Sequence, residues 1–249
     1  MQSIEVPAVG DETGRAVVLH SNGMCADFYR PLMEALAQRQ VGSVAFDLPG
    51  FAGPPPPDKS WDGFLAAVRP DVARALGPDG VLVGHSLGGL VALLLAPSLP
   101  LRALVLMEPA IIPWRWLARL AAAVYVRRVF DGRRGFTNRG PWFWRLHDPT
   151  GFAPDRIAQV QATHARADRA LVDALHVGLA TRYPLPFDAV TVPVVAVRGA
   201  SSGRVMALGQ RDLVRRLPNA RAVTVPEAGH WLANEQDELL AQCIAEALR

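Results

Sequence analysis

The chain has 249 residues, half of them hydrophobic, and its 26 basic and 23 acidic side chains leave a formal charge of +3. That is enough apolar material for one sizeable core, and arginine pairs such as Arg127-Arg128 and Arg215-Arg216, without aromatics between them, argue against a nucleic-acid-binding protein. Cys25 and Cys243 are too isolated for a disulfide framework or a metal site, and no apolar run nears the ~20 residues that span a bilayer. Met1 to Pro7 also lacks the charged and apolar regions of a secretory leader, so a soluble cytoplasmic protein with no membrane partner is expected.

In chain order, a short edge strand is predicted around Ile4 to Val6, and Ala16 to Leu19 suits a strand buried on both faces of a parallel sheet. A loop with Asn22 and Gly23 follows, then a helix over Tyr29 to Gln38 with Leu32, Met33, Leu36 and Ala37 on one face. Val44 to Phe46 is the next strand. The proline run Pro54 to Pro57 requires an extended connection, and Ser60 caps a helix from Trp61 to Leu76 that Gly77-Pro78 ends.

Val81 to Leu95 then reads as strand, small-residue turn and helix, with Gly84-His85-Ser86-Leu87-Gly88 at its centre. A serine on so sharp a turn is held clear of the sheet in a strained backbone, which makes Ser86 the candidate nucleophile. Leu101 to Met107 is a further buried strand ending at Glu108-Pro109. Between residues 109 and 186 the alternation of strand and helix stops. A helix is expected over Trp114 to Phe130, an aromatic loop over Gly140 to Trp144, and one or two helices over Asp155 to Leu179. Strands return at Val192 to Arg198 and Ala220 to Val225, and a helix over Glu235 to Leu248 closes the chain.

With the G-x-S-x-G turn between an apolar strand and an apolar helix, the sequence resembles the alpha/beta-hydrolase fold family over nearly its whole length. The resemblance implies an α/β architecture: a mainly parallel, doubly wound sheet built from 1–108 and 187–249, with 109–186 inserted as a helical cap. Glu227-Ala228-Gly229-His230-Trp231 is similar to the family's histidine loop, which makes His230 the candidate base. His85, His147, His164 and His176 are weaker candidates, and His20 is expected to brace the neighbouring loop.

The acid departs from the commoner family pattern. Many relatives carry an aspartate after the strand equivalent to Val192 to Arg198, but Gly199-Ala200-Ser201-Ser202-Gly203 holds no carboxylate, and Gly203 stands where one would be expected. A minority of the family places the acid after the preceding strand, which points to Glu108, with Asp212 and Asp47 as alternatives. The oxyanion donors implied are the backbone N–H groups of Leu87 and of Asn22 or Met24, with Asn22 preferred. Neither a zinc spacing, a Walker loop nor a dinucleotide fingerprint is present, so no cofactor is expected. The expected activity is hydrolysis of an ester or thioester of a small apolar or aromatic substrate through an acyl-enzyme on Ser86. The alternative is a non-hydrolytic relative: a lyase, a cofactor-free oxygenase or an acyltransferase.

Overall fold

The strand-forming runs assemble into one seven-stranded sheet in the computed structural model, which describes residues 1–111, 154–181 and 185–249. The strands are β1 (Ser3–Val6), β2 (Gly14–Leu19), β3 (Val41–Phe46), β4 (Gly80–His85), β5 (Leu101–Met107), β6 (Val194–Gly199) and β7 (Ala220–Val225). They lie in the order β1-β3-β2-β4-β5-β6-β7, every neighbouring pair parallel except the antiparallel edge pair β1 and β3. From β2 the chain passes to β3 on one side, and β4 then pairs with the other side of β2. The ends of β2 and β4 therefore flank a topological switch point, where open sheets of this kind form their ligand crevices.

Alternate residues of the central strands supply two separate cores. Ala16, Val18, Val81, Val83 and Val105 face α1 (Arg30–Ala37) and the closing helix Asp237–Ala247 through Leu32, Met33, Leu36, Leu240 and Ile244. Val17, Leu19, Leu82, Leu104 and Leu106 face α2 (Trp61–Leu76) and α3 (Leu87–Leu95) through Phe64, Val68, Val72, Leu90 and Val91. Each of these valine, leucine, isoleucine, methionine and phenylalanine side chains contributes about 1.5–3 kcal/mol of transfer free energy, so the period-two split of an apolar run is what pins helices to both faces.

Several boundaries move for local reasons. Pro193 has no N–H to give the ladder, and β6 begins only at Val194. A short 3-10 turn, Ala26–Tyr29, precedes α1, whose first turn accepts Pro31. Helix α2 runs unbroken through Pro70, whose missing bond falls on the exposed side where water can serve the carbonyl of Ala66. The Ser60 hydroxyl caps it by accepting from the N–H of Gly63 at 3.1 Å.

Between β5 and β6 the described residues include α4 (Pro154–Arg166) and α5 (Arg169–Thr181). Leu171, Val172 and Leu175 of α5 join the α2 core, and the Trp61 indole donates to the carbonyl of Leu175 at 3.0 Å. Lys59 grips both carboxylate oxygens of Asp168, at 3.0 and 2.9 Å, while the N–H of Asp168 reaches Gly50 O at 2.6 Å. The expected helix over 114–130, the aromatic loop over 140–144 and His147 lie outside the described residues. Among the described residues the two remaining α-helices are α6 (Arg204–Arg216) and α7 (Asp237–Ala247). Among the described residues, no helix is long and apolar enough to cross a membrane.

Candidate active site

The carboxyl ends of β2, β4, β5 and β6 and the loop after β7 bring the candidate residues together. Ser86 sits between β4 and α3 with φ 52° and ψ −110°, values that a side chain adopts only under strain. Its N–H donates to Met107 O at 2.9 Å, and its carbonyl accepts from Leu90 at 3.1 Å and from Ala110 at 2.9 Å. The turn is thereby tied to its own helix and to the segment that carries Glu108. Small residues make this possible: a Cβ on Gly84 would lie 2.3 Å from Gly88 O, and one on Gly88 would lie 2.2 Å from Leu19 O.

Glu108, also left-handed at φ 44°, is almost wholly buried. A buried carboxylate needs a partner for each oxygen, and it has them. Oε1 accepts from the N–H of Gly199 at 2.9 Å, and Oε2 lies 2.8 Å from His230 Nδ1. That contact makes Nδ1 the protonated nitrogen and Nε2 the basic one. Its backbone N–H is bonded to Val197 O at 2.9 Å, so β6 holds both the main chain and the side chain of Glu108 in place. The competing carboxylates are engaged elsewhere: Asp212 by Arg215 and by Arg216 at 2.9 Å, and Asp47 by the N–H of Ala26 at 2.7 Å. Gly203 immediately precedes α6, with open space where a side chain would stand.

The loop after β2 is a tight turn. Met24 N–H donates to Ser21 O at 3.1 Å across Asn22 and Gly23, the latter at φ 79°, as in a type II turn. The Met24 amide is thus committed within the turn, whereas Asn22 occupies the outward corner. His20 holds this turn from below: its Nε2 accepts from Leu48 N–H at 2.9 Å and its Nδ1 donates to Ser21 O at 2.8 Å. Burial lowers the pKa of His20, which keeps the imidazole in the neutral form that this pair of bonds requires.

His85 is a contact that sequence reasoning missed. Its ring is fully buried between Tyr29 and the histidine loop. Nε2 donates to His230 O at 2.8 Å, and Nδ1 accepts from the Tyr29 hydroxyl at 2.7 Å. Tyr29 stands 56 positions away in sequence, and only its polar tip on an apolar helical face hinted at a buried partner.

Strain gathers at this edge. Among the described residues, Gln40, Ser86, Glu108, Glu227 and Asn234 are the non-glycine residues at positive φ, and all but Gln40 belong to the site or to the histidine loop. Backbone strain of this kind persists only where the surroundings over-determine it, and it is a feature of functional sites.

Comparisons with known proteins agree with this architecture. A pimeloyl-[acyl-carrier protein] methyl ester esterase of Aromatoleum aromaticum is 28% identical over 89% of this chain and 93% of its own. The structure of MenH from S. aureus superposes with a TM-score of 0.75 at 17% identity, covering 99% of this chain and 97% of that one. An esterase from Exiguobacterium antarcticum gives a TM-score of 0.79 at 13% identity, covering 99% and 94%. The family model described as the alpha/beta hydrolase family matches residues 16–242, nearly the whole chain, and the protein belongs to that family.

Proposed function

We propose that the chain is a serine hydrolase that cleaves a carboxylic ester or thioester through an acyl-enzyme on Ser86. The observation that carries this reading is the 2.8 Å contact between His230 Nδ1 and a Glu108 carboxylate whose other oxygen is held by Gly199. An imidazole oriented in this way, on the same sheet edge as a strained serine, has the tautomer needed for general-base catalysis. His230 Nε2 takes the Ser86 proton as Oγ attacks the acyl carbon, and returns it to the leaving alcohol or thiol. A water molecule then repeats the sequence on the acyl-enzyme. Glu108 fixes the tautomer and offsets the charge of the imidazolium, while the N–H groups of Leu87 and Asn22 receive the oxyanion. Leu87 is well suited because it opens α3, where backbone donors point out of the helix and its dipole favours negative charge.

Residues 109–186 form, in this reading, a cap over the crevice that selects a small-molecule substrate. The esterase activity named for the relatives supports an ester as the bond cleaved. The test is labelling of the native protein by a fluorophosphonate, with turnover of nitrophenyl esters of graded chain length. Labelling that vanishes in Ser86→Ala, together with hydrolysis that depends on chain length, is expected. A folded native protein that neither labels nor hydrolyses would overturn the reading.

A further inference from the structure

Three loops at the site come from distant parts of the chain: the turn Ser21 to Met24, the elbow at Ser86 and the histidine loop at His230. One line of hydrogen bonds joins them. The N–H of Ser21 donates to the Tyr29 hydroxyl oxygen at 2.9 Å. That hydroxyl lies 2.7 Å from His85 Nδ1, and His85 Nε2 lies 2.8 Å from His230 O. A carbonyl can only accept, so the Nε2 proton is fixed, Nδ1 must be the acceptor, and the Tyr29 proton must point at it. All the donors therefore run in the same direction, from the oxyanion turn through Tyr29 and His85 to the main chain of the catalytic histidine.

Resting on the catalytic reading above, we infer that Tyr29 and His85 are positioning residues that set the oxyanion turn and the His230 loop in register with Ser86. The line is anchored on rigid parts, because His85 ends β4, immediately before Ser86, and Tyr29 enters α1. A second tether runs parallel to it: the Asn234 side-chain amide donates to Phe28 O at 2.9 Å, joining the far end of the histidine loop to the same 3-10 turn. Trp231 and Tyr29 pack edge-on against the His85 imidazole, at 6.0 and 5.9 Å between ring centroids. The rings pack around an imidazole whose tautomer the two hydrogen bonds set. Burial, then the neighbouring His230, depresses the His85 pKa to about 3, so the ring stays neutral across the working range. Its tautomer does not depend on the protonation of His230 during turnover.

A residue that merely filled the core would change the melting temperature and leave turnover per active site alone. The experiment compares Tyr29→Phe, His85→Leu, His85→Gln and the double variant Tyr29→Phe/His85→Leu. For each, kcat and KM on one nitrophenyl ester are normalised to the fraction of sites titrated by a fluorophosphonate, and the melting temperature is recorded. The expected result is a fall in kcat of roughly 10- to 100-fold for Tyr29→Phe and His85→Leu with KM little changed, by analogy with the loss when the hydrogen-bond partners of metal-ligating histidines are removed. The double variant should be no worse than the worse single, since both break the same line. His85→Gln, whose amide offers one acceptor and one donor, should recover part of the loss. Variants that keep native kcat per titrated site while melting lower would overturn the inference and leave the catalytic reading standing. So would losses that multiply in the double variant. A native protein without titratable or hydrolytic activity would overturn both.

Discussion

Ser86 and Glu108 hold left-handed backbone angles at the ends of adjacent strands, each bonded to the chain of the next strand over. Such conformations cost of order 1–3 kcal/mol apiece and need a surrounding structure that enforces them. At φ 52° and ψ −110°, Ser86 occupies the region that glycine takes at the first corner of a type II′ turn. Ser86→Gly is therefore expected to unfold at higher urea, by about 1 kcal/mol, while losing all turnover. Glu108→Gln keeps the bond from Gly199 but loses the charge facing His230. It should fold normally and lower kcat by roughly 10²- to 10⁴-fold, as steady-state assays would show, because the imidazole loses its enforced tautomer. An unchanged kcat would remove Glu108 from the mechanism. The sequence offers Glu108 as the candidate acid only through the resemblance to relatives that place it after the preceding strand, since Gly199 to Gly203 carries no carboxylate. The partnership of Tyr29 with His85 could not be read at all, because no local pattern links a helical tyrosine to a strand end 56 residues away.

The elbow works as a unit of strand, turn and helix in which small residues replace packing space. A methyl on Gly88 would meet Leu19 O at 2.2 Å and His20 O at 2.6 Å, both backbone atoms that have no rotamer to yield. Gly88→Ala should therefore destabilise by about 1–3 kcal/mol in thermal melts and disturb the turn Ser21 to Met24, which directly follows that same His20. This element was plain in the sequence, as were α2 and β5, because their apolar periodicity and end signals agree. The edges of β6 and α7 were less so. Pro193 shortens one strand, and the N–H of Asn234 bonding to Asp237 Oδ1 at 3.0 Å delays the helix. Sheet order was legible only as a class: alternating strands and helices imply a parallel sheet, but the crossing from β3 back to β4 on the other side of β2 rests on contacts between distant segments.

Across the whole molecule, the neutral buried histidines link stability to pH. His20 and His85 both have folded-state pKa values below the ordinary histidine range, chiefly through burial. The unfolded chain therefore binds more protons than the folded one once the pH drops below about 6.5, so stability is fully present above that value and is lost towards acid. For His85 the loss continues down to about pH 3. Each such histidine contributes a limiting slope of about 1.4 kcal/mol per pH unit, and Asp71 and Asp168, whose pKa values are lowered by hydrogen-bonded partners, add to it once the pH falls to the ordinary carboxylate range, about 4. Urea unfolding between pH 7.5 and 4.5 should show stability level down to about pH 6.5 and then declining, with a shallower decline in His85→Gln; an equal slope in both proteins would mean that His85 is not the group titrating. Lys59 has a consequence of a different kind, since it is the sole lysine of the chain. A protease that cuts only after lysine has one possible target, on the connection between β3 and α2, and it must first pull that side chain away from Asp168. The rate of that single cut, followed on a gel, becomes a clock for how often the Lys59–Asp168 pair at the head of α5 comes apart.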